Sequence, residues 1–277
     1  MTTSEPLKPS QPSGSGQAGR EVLQARDLSK AFGGVQAVLN LSFSLMPGEL
    51  IAMIGPNGAG KTTCFHLLHG HLKPDQGSIY LNDQEITSKG SLERSRMGMA
   101  RTFQVASVYP AVKVLDHLIF SDRIKRLRGA HWLRQVSLSD STVAMSWLLR
   151  LQLDKLAHRY ANELSYGDLK RLELAMVLSQ QPKVLLMDEP TAGLPLEERQ
   201  TLMQLVHALA REQALAVLIT EHAMDVVFGF ADRLLVIHRG SLIAQGDAEA
   251  IAQNQQVREA YLGSLNLQTI LASREQR

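Results

Sequence analysis

The stretch Gly55-Pro56-Asn57-Gly58-Ala59-Gly60-Lys61-Thr62-Thr63 constrains the chain more than any other. It follows the apolar run Leu50-Ile51-Ala52-Met53-Ile54, which reads as a buried strand, and precedes a helical pattern from Thr62 to His71. A G-x-x-x-x-G-K-[ST] spacing between strand and helix is a phosphate cradle in the context it needs. Gly55, Gly58 and Gly60 let the backbone turn tightly, so that successive N–H groups converge on an anion beside the positive end of the new helix. Pro56, Asn57 and Ala59 complete the loop. Lys61 is expected to reach the outer phosphates as a compact charge, and the Thr62 hydroxyl, next to Thr63, to take a Mg²⁺ position. A glycine-rich turn with an incidental lysine is the bland alternative.

Composition excludes little but is consistent. The 277 residues suffice for one large domain or two modest ones. Lys plus Arg at 29 against Asp plus Glu at 27 leaves the charge nearly balanced, which does not argue for nucleic acid as partner. A single cysteine, Cys64, excludes an intrachain disulfide and suits a reducing compartment; on the cradle helix it reads as a small packed residue. No apolar run approaches the roughly 18 residues of a membrane helix, and the N-terminus lacks the apolar centre of a secretory signal. The expectation is a cytoplasmic protein unless something else carries it to a membrane.

Residues 1–20, rich in Pro, Ser, Gly and Gln, read as a disordered leader. From Val22 the pattern alternates, and Leu41 to Leu45 alternates again before Pro47-Gly48, so an antiparallel β portion leads into the cradle strand. Phe32, expected in a loop with Gly33-Gly34, is placed to stack on a purine or to serve simply as core. His66, His69 and His71 lack a carboxylate or cysteine to complete a metal site and read as exposed helix residues. Met97 to Gln104 suggests a strand, and 105–163 suggests helices around Val112–Ile124 and Asp140–Leu153. The basic stretch between them (Arg123, Lys125, Arg126, Arg128, Trp132, Arg134) reads as a solvated face, with anionic lipid the alternative.

The chemistry concentrates after Leu164. Val184-Leu185-Leu186-Met187 reads as a buried parallel strand delivering Asp188 and Glu189 at its carboxyl end. Asp188 is expected to hold the metal hydration shell opposite Thr62. Glu189, on the other side of an extended backbone, is expected to direct the attacking water as general base. Gln104, whose amide suits both a metal and a water, and His222, at another strand end, complete the catalytic set. Leu164-Ser165-Tyr166-Gly167-Asp168 opens an amphipathic helix, where Ser165 and Gly167 make a second anion site. Two such sites and one outer phosphate suggest a head-to-tail dimer.

These five ordered motifs resemble the ATP-binding subunits of ABC transporters from about Val22 to Leu262. The resemblance implies an α/β fold: a P-loop NTPase, ABC-type nucleotide-binding domain with an antiparallel β subdomain and a helical subdomain insert. The domain would span 21–263, with the helical part at about 105–180 and a polar tail from 264 to 277. It further implies ATP and Mg²⁺ as cofactors, an ATP-sandwich dimer with itself or a sister ATPase, and transmembrane permease partners at the cytoplasmic face of the inner membrane. Phe32-Gly33-Gly34, Arg101-Thr102-Phe103-Gln104, Glu221-His222 and the ending Val257-Arg258-Glu259-Ala260-Tyr261-Leu262-Gly263 are similar to the branched-chain amino-acid importer subgroup, which works with a solute-binding protein. Urea-importer and lipopolysaccharide-export ATPases share these features. Tyr166, Asp168 and Pro195 stand where the family commonly carries glycine, glutamine and aspartate. A soluble ABC ATPase acting on DNA or ribosomes is the other class of reading; it would need a long heptad insertion or a second tandem domain, and neither is visible. A small-molecule kinase would leave the signature helix and His222 unexplained.

Overall fold

The computed structural model describes residues 20–102, 106–126 and 138–262. Two antiparallel strands, β1 (Leu23–Phe32) and β2 (Val35–Leu45), open the chain, followed by β3 (Leu50–Ile54) and the cradle helix α1 (Lys61–His69). β4 (Gln76–Leu81), β5 (Gln84–Glu85), the short helix α2 (Ser91–Arg96) and β6 (Met99–Thr102) come next. Then follow α3 (Val114–Arg126), α4 (Leu138–Arg150), α5 (Tyr166–Ser179), β7 (Val184–Asp188), α6 (Leu196–Gln213) and β8 (Ala216–Thr220). The chain closes through α7 (Met224–Phe230), the β9–β10 hairpin (Arg233–His238 and Ser241–Gly246), α8 (Ala248–Gln253), α9 (Gln255–Val257) and a π-helical turn, Arg258–Leu262.

A four-stranded antiparallel sheet runs β2-β1-β4-β5, and a six-stranded sheet runs β10-β9-β3-β8-β7-β6. In the larger sheet β9, β3, β8, β7 and β6 are parallel, and only β10 runs the other way. Parallel strands lie covered on both faces, so their apolar runs are continuous, and alternate side chains feed two different cores. Leu50, Ala52 and Ile54 of β3 pack with Leu185 and Met187 of β7 and Val217 and Ile219 of β8 against the helices α3 to α7. Ile51, Met53, Leu186 and Leu218 face the other way, onto Phe65 and Leu68 of α1 and Leu23, Leu28 and Leu41 of the antiparallel sheet.

The carboxyl end of α1 is secured from a distance. Arg94, fully buried, donates to the carbonyls of Leu67 and Leu68 at 2.6 Å each, and to those of Lys89 and Thr87 at 2.9 and 3.0 Å. A guanidinium there satisfies carbonyls that a helix end leaves unpaired and complements its negative pole.

The expected elements recur with shifted ends. The helices expected at Val112–Ile124 and Asp140–Leu153 are α3 and α4, and the strand expected in 97–104 is β6. Phe32 is corrected: it ends β1, paired with Val35, rather than lying in the loop that follows, because the Gly33-Gly34 turn is short enough for a hairpin. His69 is also corrected, being buried rather than exposed. The leader up to residue 19, the tail from 263, Gln104 and the side chains of the basic stretch from Arg123 lie outside the described residues.

Candidate functional site

Carboxyl ends of parallel strands are where an open α/β sheet presents its loops to a ligand. Here β3 ends in the Gly55–Thr63 loop, β7 in Asp188-Glu189, and β8 in Glu221-His222, and the three strands are adjacent. Neighbouring strand ends therefore gather residues that are distant in the chain.

Two glycines of the loop are required by space. A Cβ on Gly55 would lie 2.0 Å from the Ile237 carbonyl oxygen, and one on Gly60 would lie 2.2 Å from that of Ala37. Both have positive φ, at 153° and 104°, so backbone approach and backbone conformation exclude a side chain together. Gly60 is the N-cap of α1, no side chain caps that helix, and no acidic residue lies in its first turn. Its amino end is thus left to an anionic ligand. Asn57, Gly58 and Thr62 are exposed, while Ala59 is buried under the loop.

Lys61 is buried, and its Nζ donates to the carbonyls of Gly55 at 2.7 Å and Pro56 at 3.1 Å. Burial lowers its pKa, and the negative charges of Glu189 and Asp188 oppose that shift, which places both carboxylates within electrostatic reach of the ammonium. Lys61, Asp188 and Glu189 therefore share one site.

Asp188 accepts from the Thr220 hydroxyl at 2.6 Å and from the Arg101 guanidinium at 3.0 Å. A carboxylate offers about four acceptor positions, so two donors fix its orientation and leave room for metal-bound water. A hard cation held by one carboxylate, a hydroxyl and phosphate oxygens matches how Mg²⁺ is usually bound, and the donors Asp188 and Thr62 fit it. Among the described residues there is no group of three or more His, Cys, Asp or Glu placed to hold a metal ion.

Glu189 departs from the extended backbone expected for it. Its φ is 47°, in the left-handed region, and its N–H donates to the Thr220 carbonyl at 3.0 Å. A non-glycine residue held there stores strain of about 1–3 kcal/mol, a cost that recurs at functional sites. The turn leaves Glu189 Oε1 3.3 Å from His222 Nε2, at a site where both side chains remain partly exposed.

The start of α5, expected to form a second anion site, is built differently. Ser165 caps α5, its hydroxyl accepting from the Asp168 N–H at 3.1 Å and donating to the Asp168 carboxylate at 2.8 Å. Asp168 also pairs with Arg171. Gly167 abuts α6, where an added Cβ would lie 2.2 Å from a Glu198 carboxylate oxygen. Phe32 is half-exposed at the end of β1, with the Lys30 ammonium 5.7 Å from its ring centre. Pro195, at the departure noted from the family pattern, is the N-cap of α6.

Three participants escaped sequence reading. Arg101 and Thr220 orient Asp188, and Glu221 is buried beneath His222. Arg101 and Glu221 occur in stretches that carried the resemblance, but their contacts run across strands and have no local signature.

A strand–loop–helix phosphate cradle with two strand-end carboxylates at the carboxyl edge of a parallel sheet defines a P-loop nucleotide-binding domain. The family model for the ABC transporter matches residues 38–192, and that for the branched-chain amino acid ATP-binding cassette transporter matches residues 241–264. The chain is 36% identical over 249 residues to the high-affinity branched-chain amino acid transport ATP-binding protein LivG of Escherichia coli K12, covering 87% of this chain and 98% of that one. It is 32% identical to the lipopolysaccharide export system ATP-binding protein LptB of Acidithiobacillus ferridurans, over 88% of this chain and 97% of that one. The solved ADP conformation of MJ1267, an ATP-binding cassette of an ABC transporter, superposes with a TM-score of 0.77 at 31% identity, covering 88% of this chain and 99% of that one. This chain belongs to the ATP-binding cassette ATPases of ABC transporters. It is a nucleotide-binding subunit that works with membrane permeases, and no helix among its described residues is long and apolar enough to cross a membrane.

Proposed function

We propose that this chain hydrolyses ATP to energise uptake of branched-chain or other hydrophobic amino acids, or related small solutes such as urea or amides. The observation carrying the substrate class is the family match at 241–264, a segment outside the nucleotide site, together with identity to LivG over nearly its whole length. The domain spans 21–263 with its helical part at about 105–180. It acts as a dimer with itself or a sister ATPase, at the cytoplasmic face of the inner membrane, beneath permeases served by a solute-binding protein.

In the hydrolysis step, the N–H groups of Gly55 to Thr63 and the Lys61 ammonium hold the phosphates, while Phe32 stacks on the base. Thr62, Asp188 and Gln104 would hold Mg²⁺, which would supply charge neutralisation at the outer phosphates. Glu189 takes a proton from the attacking water, and His222, in contact with Glu189, keeps that water in line. Ser165 and Gly167 close on nucleotide held by the opposite subunit, and this closure is passed to the permeases.

The test is recovery of partners on a Glu189→Gln chain from gently solubilised membranes in ATP, followed by uptake of labelled leucine in cells lacking the chain. Two polytopic permeases and lost leucine uptake are the expected results. Co-purification with ribosomes or DNA-bound proteins, and no membrane partner, would overturn the reading. The similarity to LptB supports lipopolysaccharide export as the second reading. Unchanged leucine uptake with lipopolysaccharide held at the inner membrane would favour it.

A further inference from the structure

β7 and β8 pair in register up to Asp188 and Thr220, where the ladder ends and each strand enters a loop. One loop carries Glu189, Pro190 and Thr191; the other carries Glu221, His222 and Ala223. Glu221 is 3% exposed, and its carboxylate spans the two. Oε1 accepts from the Thr191 N–H at 2.9 Å and from the Thr191 hydroxyl. Oε2 accepts from the N–H groups of His222, at 2.9 Å, and Ala223, at 3.2 Å. Four donors from two loops thus converge on one carboxylate. Lys170 of α5, also buried, and Tyr261 lie within reach of its charge.

Burying a carboxylate is costly unless donors and a counter-charge surround it. Three backbone N–H groups and one hydroxyl converge from the two loops, and an amide with a single acceptor oxygen would not satisfy the N–H groups on both sides. What a doubly accepting carboxylate adds is a fixed distance between them. One oxygen sets the loop two residues beyond Glu189, and the other sets the backbone of His222 itself.

We propose that Glu221 is a positioning residue for hydrolysis, which holds His222 at contact distance from Glu189 by tying the loop after β8 to the loop after β7. The proposal rests on the assignment of His222 and Glu189 to the hydrolysis step. In Glu221→Gln the amide NH2 must face backbone N–H donors on one side or the other: turned to Thr191 it loses the Thr191 N–H bond while the hydroxyl reverses to accept, and turned to His222 it loses both bonds there. Thr191→Val removes the hydroxyl donor alone and leaves every backbone bond in place.

Steady-state ATPase kinetics of the full chain, with its dimer or permease complex assembled, decide it. Glu221→Gln is expected to lower kcat by about 10- to 100-fold, as a small displacement of a catalytic group does, with KM for ATP within about threefold. Combined with His222→Ala, it is expected to cost no more than His222→Ala alone, because both remove the same arrangement. Near-normal kcat in Glu221→Gln, or losses that multiply in the double variant, would overturn the proposal. If Glu221→Gln does not fold, Thr191→Val carries the same cycle: a loss of about three- to tenfold in kcat, not multiplying with His222→Ala, is expected, and a multiplying or absent loss is fatal. Normal turnover in His222→Ala alone would instead remove His222 from the hydrolysis step, and Glu221's role with it.

Discussion

The loops that open α1 and α5 both place glycine at a helix N-terminus, and they are built by opposite means. The loop before α1 has no side-chain cap and no acid in the first turn, and main-chain carbonyls crowd Gly55 and Gly60 so closely that nothing larger fits. Its positive charge, Lys61, is buried and turned onto the loop's own carbonyls. The loop before α5 meets its own needs: Ser165 caps the helix, Asp168 occupies the first turn and pairs with Arg171, and Glu198 lies against Gly167. One helix end offers uncommitted donors and a cation, while the other is already surrounded by carboxylates. In the proposed function, phosphate affinity in a single chain rests on the first loop, and the second acts on a nucleotide brought to it.

That contrast can be broken in four places. The largest effect is expected for Glu189→Gln, which removes the proposed general base while leaving the cradle whole: single-turnover hydrolysis should fall by about 10² to 10⁴ fold with ATP affinity retained. Turnover near normal would remove Glu189 from its role. Lys61→Ala should weaken ATP binding to the isolated chain by about 10- to 100-fold, the worth of a charge-assisted contact, as titration calorimetry would show. Equal weakening from Ser165→Ala in the isolated chain would erase the distinction between the loops.

Acid should disturb the cradle side. His69, near the end of α1, is buried, and burial with neighbouring His71 and Arg101 lowers its pKa from 6.5 to about 4. Its folded pKa lies below the unfolded value, so the unfolded chain binds more protons in between, and stability is lost as pH falls from 6.5 towards 4. The loss should approach about 3 kcal/mol, and His69→Gln should flatten it in chemical denaturation measured across that range. An unchanged slope would show that other groups govern the acid limb. The smallest effect is expected for Ser165→Ala, which removes a helix cap and should cost about 1 kcal/mol in the same denaturation experiment. No loss at all would mean that Asp168 and Arg171 secure the start of α5 without it.

Residue types at fixed spacing made the cradle legible, because its geometry is local: the glycines, the lysine and the threonines lie within one strand–loop–helix turn. The strand-end pair Asp188-Glu189 was legible for the same reason. What could not be read was orientation. The left-handed turn at Glu189 follows from hydrogen bonding to Thr220, more than thirty residues away in the chain, and an extended strand end was the reasonable expectation without it. The burial of His69 was equally hidden, since a polar residue in the last turn of a helix reads as exposed until the packing around it is known. Arg94 gave no sign of being the buried clasp on α1.

The sequence by itself determined the kind of protein, since five motifs in order specify both chemistry and family, and continuous apolar runs specify a parallel sheet. Only the tertiary structure decided which face of β3, β7 and β8 meets which core, and which side chains orient Asp188. Strand periodicity sets alternation but not direction, so the two layers packed on either side of the sheet assign the faces. Adjacency in a parallel sheet is likewise a property of strand order. It brings Arg101, Asp188, Thr220 and Glu221 together from three strands that the linear chain keeps apart.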